Sequence, residues 1–312
     1  MSPEPEVGPA TSLAGESAAT LMAPGLAITR AEAIAGGPSP LSKALPALAW
    51  ISLGWLVLVC LLALLAPVLP IPNPNTSLAE IARQGPSAGH WFGGDSIGRD
   101  MFARVIWGAR NSLVIGFGAI ALGLLVGVPL GLVAGYLRGF TDSVVTFILD
   151  VLLSVPAIIF AAAIAAFYGR STQNVILAIG IIALPTLARI VRANTIVYAQ
   201  REFVTAARAL GATHWRIMWR EVFPNVVPAT VAIAMLGVAV AIVVEGALSI
   251  LGTGLPNDAI SWGSIISFNL NVIAEAPNTW IFPSLCIFIT VVALNTIGDA
   301  VRQKFDVREG AL

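Results

Sequence analysis

The chain is 312 residues long, 57% of them hydrophobic and 11% charged, with a formal net charge of zero. A soluble domain carries about 25% charged residues, so lipid must cover much of this surface. With no basic excess nucleic acid is not an expected partner, and two cysteines (Cys60, Cys286) and two distant histidines (His90, His214) suggest neither a disulfide framework nor a metal site.

Residues 1–43 are rich in Ala, Gly, Pro, Ser and Thr and contain no aromatic residue, which predicts a disordered tail. The first apolar run starts too far into the chain, and is too long, for a signal-peptide core. A helix needs about 20 apolar residues to cross about 30 Å of hydrocarbon. Six runs meet or approach that length: Ala44–Leu69, Ser112–Leu137, Ser143–Phe167, the shorter Thr172–Ala188, Val226–Leu251 and Trp280–Ile297. The expected architecture is therefore all-α and polytopic. A first span over 44–70 is followed by a loop over 71–110, a five-helix core over 111–300 and a tail over 301–312.

Six spans put both termini on one side. That side would hold twelve of the 17 Lys and Arg residues, which predicts cytoplasmic termini. The loops at 71–110 and 252–279 are then external, and 193–225 is cytoplasmic. Arg99, Arg104 and Arg110 fall just before the second span, where an interfacial helix could carry them toward lipid head groups.

Within the second span Ala119, Gly123, Gly127, Gly131 and Gly135 recur every four residues and so share one helix face. Small side chains let another helix backbone approach closely in lipid. The partner could be a helix of the same chain or of a second subunit. Two acids fall inside apolar runs, Asp150 and Glu245, and a buried charge needs an explanation. Asp150 is near the cytoplasmic start of its span. Glu245, one turn before Ser249, is deeper and is expected to face the interior of an assembly. Trp262, in the second external loop, reads as an interfacial anchor or an external docking residue.

The cytoplasmic loop has the most structured pattern, REFVTAARALGATHWRIMWREVFPN from Arg201 to Asn225. Phe203, Ala206, Ala207 and Leu210 fall on one helical face, Gly211 offers a stop, and a second short helical pattern runs from His214 to Phe223. A compact knob of this kind can pass a push to the spans on either side. Spacing alone favours an ordinary solvated, positive-inside loop.

This stretch resembles the cytoplasmic loop of binding-protein-dependent ABC importer permeases, whose pattern is E-A-A, three residues, G, nine residues, I-x-L-P. Thr205, Ala206, Ala207 and Gly211 fill the first part, and Glu221, Phe223 and Pro224 the last. Thr205 replaces the acid, Glu221 the aliphatic residue and Phe223 the leucine. Further stretches are similar to the C-type subunit of dipeptide and oligopeptide permeases: Gly94-Asp95 through Gly98-Arg99-Asp100, Asp150-x-Leu152-x-Ser154-x-Pro156, Glu245-x-x-Leu248-Ser249-x-Leu251-Gly252, and Ser261-Trp262-Gly263.

The resemblance implies a type I ABC importer permease fold with six transmembrane helices, in a bacterial inner membrane. It implies a sister permease subunit, two cytosolic ATPases and an extracytoplasmic peptide-binding protein as partners, with peptide as substrate. Phe203, Thr205, Ala206, Ala207, Leu210, Gly211, Glu221 and Pro224 would engage an ATPase. Asp150, Glu245 and Ser249 would be path or gate residues. The chain's two lysines, Lys43 and Lys304, follow no phosphate-binding glycine pattern, so ATP and Mg would sit on the partner ATPases, with no cofactor on this chain. The alternatives are a permease for nickel chelates or another small solute, and an ion-coupled secondary transporter. The latter usually carries several paired intramembrane polar groups, and neither acid here has an obvious basic partner. A membrane enzyme would need clustered His or acidic residues at one depth.

Overall fold

A computed structural model describes residues 40–256 and 258–309. The predicted tail therefore lies outside the described residues up to position 39, and Pro40 opens the first helix. The described residues form nine helices longer than a single turn: α1 (Pro40–Leu65), α2 (Met101–Leu137), α3 (Gly139–Ser154), α4 (Ala157–Tyr168), α5 (Thr172–Tyr198), α6 (Glu202–Ala209), α7 (Phe223–Ile250), α8 (Trp262–Phe268) and α9 (Asn278–Glu309). A helical turn at His214–Arg216 and a π-helical turn at Ile217–Val222 join α6 to α7. Two isolated bridges, Ser77 with Arg99 and Gly94 with Asp100, are the only strand-like pairings among the described residues. The all-α expectation holds.

Five segments are each long and apolar enough to cross a membrane: Ala47–Leu65, α2, α5, His214–Ile250 and Asn278–Phe305. The expected third span is not straight. It is the pair α3 and α4, bent by 79°. Pro156 causes the break, because it has no N–H to donate and its ring pushes the preceding residue out of the helical region. Val155 is accordingly extended, at φ −85°, ψ 122°.

Two boundaries move for one reason. The fourth span was expected to end at Ala188, because Arg189 and Arg192 read as loop residues, yet α5 continues to Tyr198. Arg189 pairs with Asp150, and Arg192 grips both oxygens of Asp142 at 2.5 and 2.6 Å. The charges are matched across the α3–α5 contact, so they do not end the helix. Likewise α2 starts at Met101, capped by the Asp100 carboxylate accepting from Ala103 N at 2.8 Å. Arg104 does not reach toward head groups. It is buried, and its Nη1 donates to the Pro74 carbonyl at 3.1 Å.

The α2–α5 contact centres the bundle, and the glycine row makes it. A Cβ on Gly123 would lie 2.9 Å from Leu187 Cδ1, and one on Gly127 would lie 3.3 Å from Leu184 O. At Gly131 it would lie 2.5 Å from Ala188 O, and at Gly135 2.7 Å from Arg192 O. Between the two partners left open by the sequence, the row faces a helix of the same chain. Backbone-on-backbone packing of this kind is a main source of helix association in lipid.

At the end of the bundle opposite α6, residues 70–100 and the segment before α9 fold into one polar cap. Asn278 Nδ2 donates to Phe92 O at 2.8 Å and Gly94 O at 3.1 Å, and Arg83 pairs with Glu275 at 2.7 Å. Asp95 ties the turn together, accepting from Arg99 N at 2.8 Å and Arg99 Nε at 2.6 Å.

Candidate functional site

The knob after α5 forms as its pattern predicts. Thr213 caps the second turn, its hydroxyl accepting from Arg216 N at 3.4 Å. Gly211 sits at φ +80°, a left-handed conformation that glycine adopts without the Cβ clash of other residues. Ala212 N donates back to Ala207 O at 3.0 Å, which closes the end of α6.

Three of the four residues on the expected face of α6 are exposed. Val204 is fully buried and Ala207 partly so, while Phe203, Ala206 and Leu210 point outward. Leu210 is 88% exposed, and Trp215 stands exposed across the Gly211 turn. An 88% exposed leucine flanked by further apolar side chains forms an uncovered contact patch. Of the other residues assigned to this surface, Thr205, Gly211 and Pro224 are exposed and Glu221 is half-buried.

Behind the patch the knob is fastened to three spans. Val204, Ile217, Met218 and Val222 pack in one buried cluster with Leu132 and Tyr136 of α2, Val191 of α5 and Val226 of α7. Tyr136 Oη lies 3.1 Å from His214 Nδ1, and the Arg208 guanidinium sits over the Tyr136 ring at 5.5 Å. Trp215, Trp219 and Phe223 form an aromatic stair with ring centroids 5.5 and 5.2 Å apart. Sequence reasoning missed Val204, Tyr136 and His214. Val204 was findable, because it opens an i, i+3 pair with Ala207. Nothing local links Tyr136 to His214, 78 positions away.

The remaining predicted residues do not converge. Asp150 is half-exposed and paired with Arg189, so the expectation that it lacks a basic partner is corrected. Glu245 is 0% exposed inside its own chain. Its Oε1 accepts from Ser249 Oγ at 2.9 Å and Ser261 Oγ at 2.7 Å, and its Oε2 has no partner. It thus holds α8 against α7, where Gly246 and Gly263 meet backbone to backbone.

Trp262 is 1% exposed and so is not a docking surface. Its indole N–H donates to Val105 O at 3.0 Å and its backbone N–H to Ser112 Oγ at 3.1 Å. The satisfied indole is what lets so large a polar-tipped ring stay in the core.

Truncation of Glu245 tests its fastening role. Glu245→Ala is expected to destabilise the chain by about 2–4 kcal/mol, because two buried hydroxyls lose their acceptor and a cavity opens. Glu245→Gln, which keeps an acceptor oxygen, should cost less. Thermal unfolding of the purified protein reads both.

Comparisons with known proteins agree with one another. Residues 127–309 match the family described as binding-protein-dependent transport system inner membrane component. The chain is 37% identical over 239 residues to the glutathione transport system permease protein GsiD of Pectobacterium atrosepticum, covering 77% of this chain and 79% of that protein. It is 39% identical over 246 residues to the dipeptide transport system permease protein DppC of Alkalihalophilus pseudofirmus, covering 79% and 81%. Among solved structures, the inward-facing MetNI methionine ABC transporter, in its CY5 native crystal form, has a similar fold. Its TM-score is 0.57 at 20% identity, over 66% of this chain and 97% of that one.

Proposed function

We propose how this chain works from a premise the comparisons establish: it belongs to the family of binding-protein-dependent transport system inner membrane components and is a permease subunit of an ABC importer. In this reading it sits in a bacterial inner membrane with both termini in the cytoplasm. It lines half of a path shared with a sister permease, and an extracytoplasmic binding protein delivers substrate to the cap around residues 70–100. Two relatives are named for dipeptide and glutathione transport, which favours a short peptide as the cargo here.

One observation carries the mechanism: the exposed patch of Phe203, Ala206 and Leu210 stands on a buried cluster that reaches α2, α5 and α7. A cytosolic ATPase seated on that patch would move three spans through side chains packed in contact. ATP and Mg would be held by the ATPases. Packed interiors transmit displacement because they are close to incompressible.

Reconstitution tests the reading. The chain, purified with whatever co-purifies from its native membrane, should bring down a second permease and two ATPases. In proteoliposomes carrying the binding protein, labelled dipeptide uptake should require ATP and persist when an ionophore collapses ion gradients. Uptake that needs the gradient and ignores ATP would overturn it. Uptake of a nickel chelate in place of dipeptide would keep the machine and change its cargo.

A further inference from the structure

We propose that the cavity between Arg104 and Arg170, at the end of the bundle opposite α6, is a binding site for a carboxylate. The cavity measures about 60 Å³ and is lined by Arg104 and Arg170 with Ser249, Ser264, Ser267 and Phe268. A single water needs about 10–15 Å³ by the same measure, so the space admits a small group and not a bulky one.

The hydroxyls around it are already committed. Ser249 Oγ donates to Glu245, Ser264 Oγ to Ala259 O at 3.0 Å, and Ser267 Oγ to Ser249 O at 2.8 Å. The guanidinium groups are only partly so: Arg104 Nη1 donates to the Pro74 carbonyl. Arg104 is 3% exposed, and its Nε has no hydrogen-bond partner. The nearest carboxylate oxygen, Asp95 Oδ2, is 3.8 Å from that Nε and already accepts from Arg99 Nε at 2.6 Å. Arg99 stands behind the cavity wall, its guanidinium over the Phe268 ring at 4.2 Å from the centroid. Arg170 gives one N–H to Leu255 O, which leaves others for the cavity.

Arg99 and Arg104 share the Asp95 carboxylate, while Asp100 is taken up by His90 at 2.7 Å and by the cap of α2. Glu245 lies behind Ser249 and is engaged by two hydroxyls. A buried cation is costly without a counter-charge, and an anion held in the cavity that Arg104 and Arg170 line would supply one. A carboxylate matches the planar guanidinium fork and the size of the space. It could be a free small acid or the C-terminal carboxylate of the cargo, and only the second source rests on the peptide-import reading.

The test begins with thermal unfolding of the assembled importer in sodium acetate against sodium chloride at equal ionic strength. Acetate should raise the midpoint by about 2 °C or more, as ligand linkage requires for a bound anion. The shift should vanish in Arg170→Gln and partly return in Arg170→Lys. Arg170 is the residue to change because Arg104 is buried in the fold. No acetate effect, an equal effect in Arg170→Gln, or protection by inorganic phosphate alone would overturn the assignment.

The source follows from uptake of a dipeptide against its C-terminal amide, in native and Arg170→Gln importers with the same binding protein. A preference for the free acid that falls toward one in the variant assigns the site to the cargo. A ratio unchanged by the variant assigns it to a free acid. If acetate protects but neither peptide is transported, the cargo reading fails and the site stands.

Discussion

Gly131→Leu is expected to destabilise the folded chain strongly. A Cβ at this position would lie 2.5 Å from Ala188 O and 2.8 Å from Val191 Cβ. The first of these atoms is backbone, so no rotamer change relieves the clash and α2 must separate from α5. Overpacking costs about 1–3 kcal/mol, and lipid supplies no hydrophobic force to push the helices back together. At the upper end that is a fall of about 6–12 °C in thermal midpoint for a chain of this size. Size-exclusion profiles and thermal unfolding of the solubilised protein would show it. Gly131→Ala should fall between the two, and Gly54→Leu, where a Cβ meets nothing within 4 Å, should be silent. A folded, normally stable Gly131→Leu protein would mean that α2 and α5 do not pack as described.

Leu210→Glu is expected to separate transport from folding. The side chain is 88% exposed and is not part of the buried cluster beneath the knob, so insertion and thermal midpoint should be unchanged. If the patch seats an ATPase, losing a buried leucine and adding a charge removes about 1.5–3 kcal/mol of contact. Each 1.4 kcal/mol is about tenfold in an equilibrium constant, so ATP-driven uptake should drop at least about tenfold. The ATPases should retain basal hydrolysis. Val204→Glu is the contrasting variant: that side chain is fully buried, so the knob itself should come apart and stability should fall. Full uptake by Leu210→Glu would remove the patch from the mechanism.

These two positions also show what could be read before the fold was known. The four-residue glycine period and the Gly211 stop are local signals, and both appear where expected. Apolar run length placed the spans, although Pro156 bends the third by 79°. It failed at Ala188 and ahead of Ser112, because Arg189, Arg192 and Arg104 find partners from distant parts of the chain: Asp150, Asp142 and Pro74. A charge that is matched across a helix contact looks, in one dimension, the same as a charge in a loop. Trp262 misled for a similar reason. Its indole partner is the Val105 carbonyl, 157 positions away, and no nearby residue signals it. Glu245 was rightly picked out as a buried acid, but its surroundings, Ser249 and Ser261, place it inside one subunit.

From His214 to Ile250 the chain runs through the π-helical turn into α7 without interruption, as one segment of 37 residues. At about 1.5 Å per residue it is roughly 54 Å long. If the knob seats an ATPase, such a segment would act as a lever with the knob at its short end. A tilt of about 5° about the knob end would carry the far end sideways by roughly 5 Å, about one helical pitch. Small strokes below could therefore open a wide mouth above, with no residue along the shaft changing its rotamer.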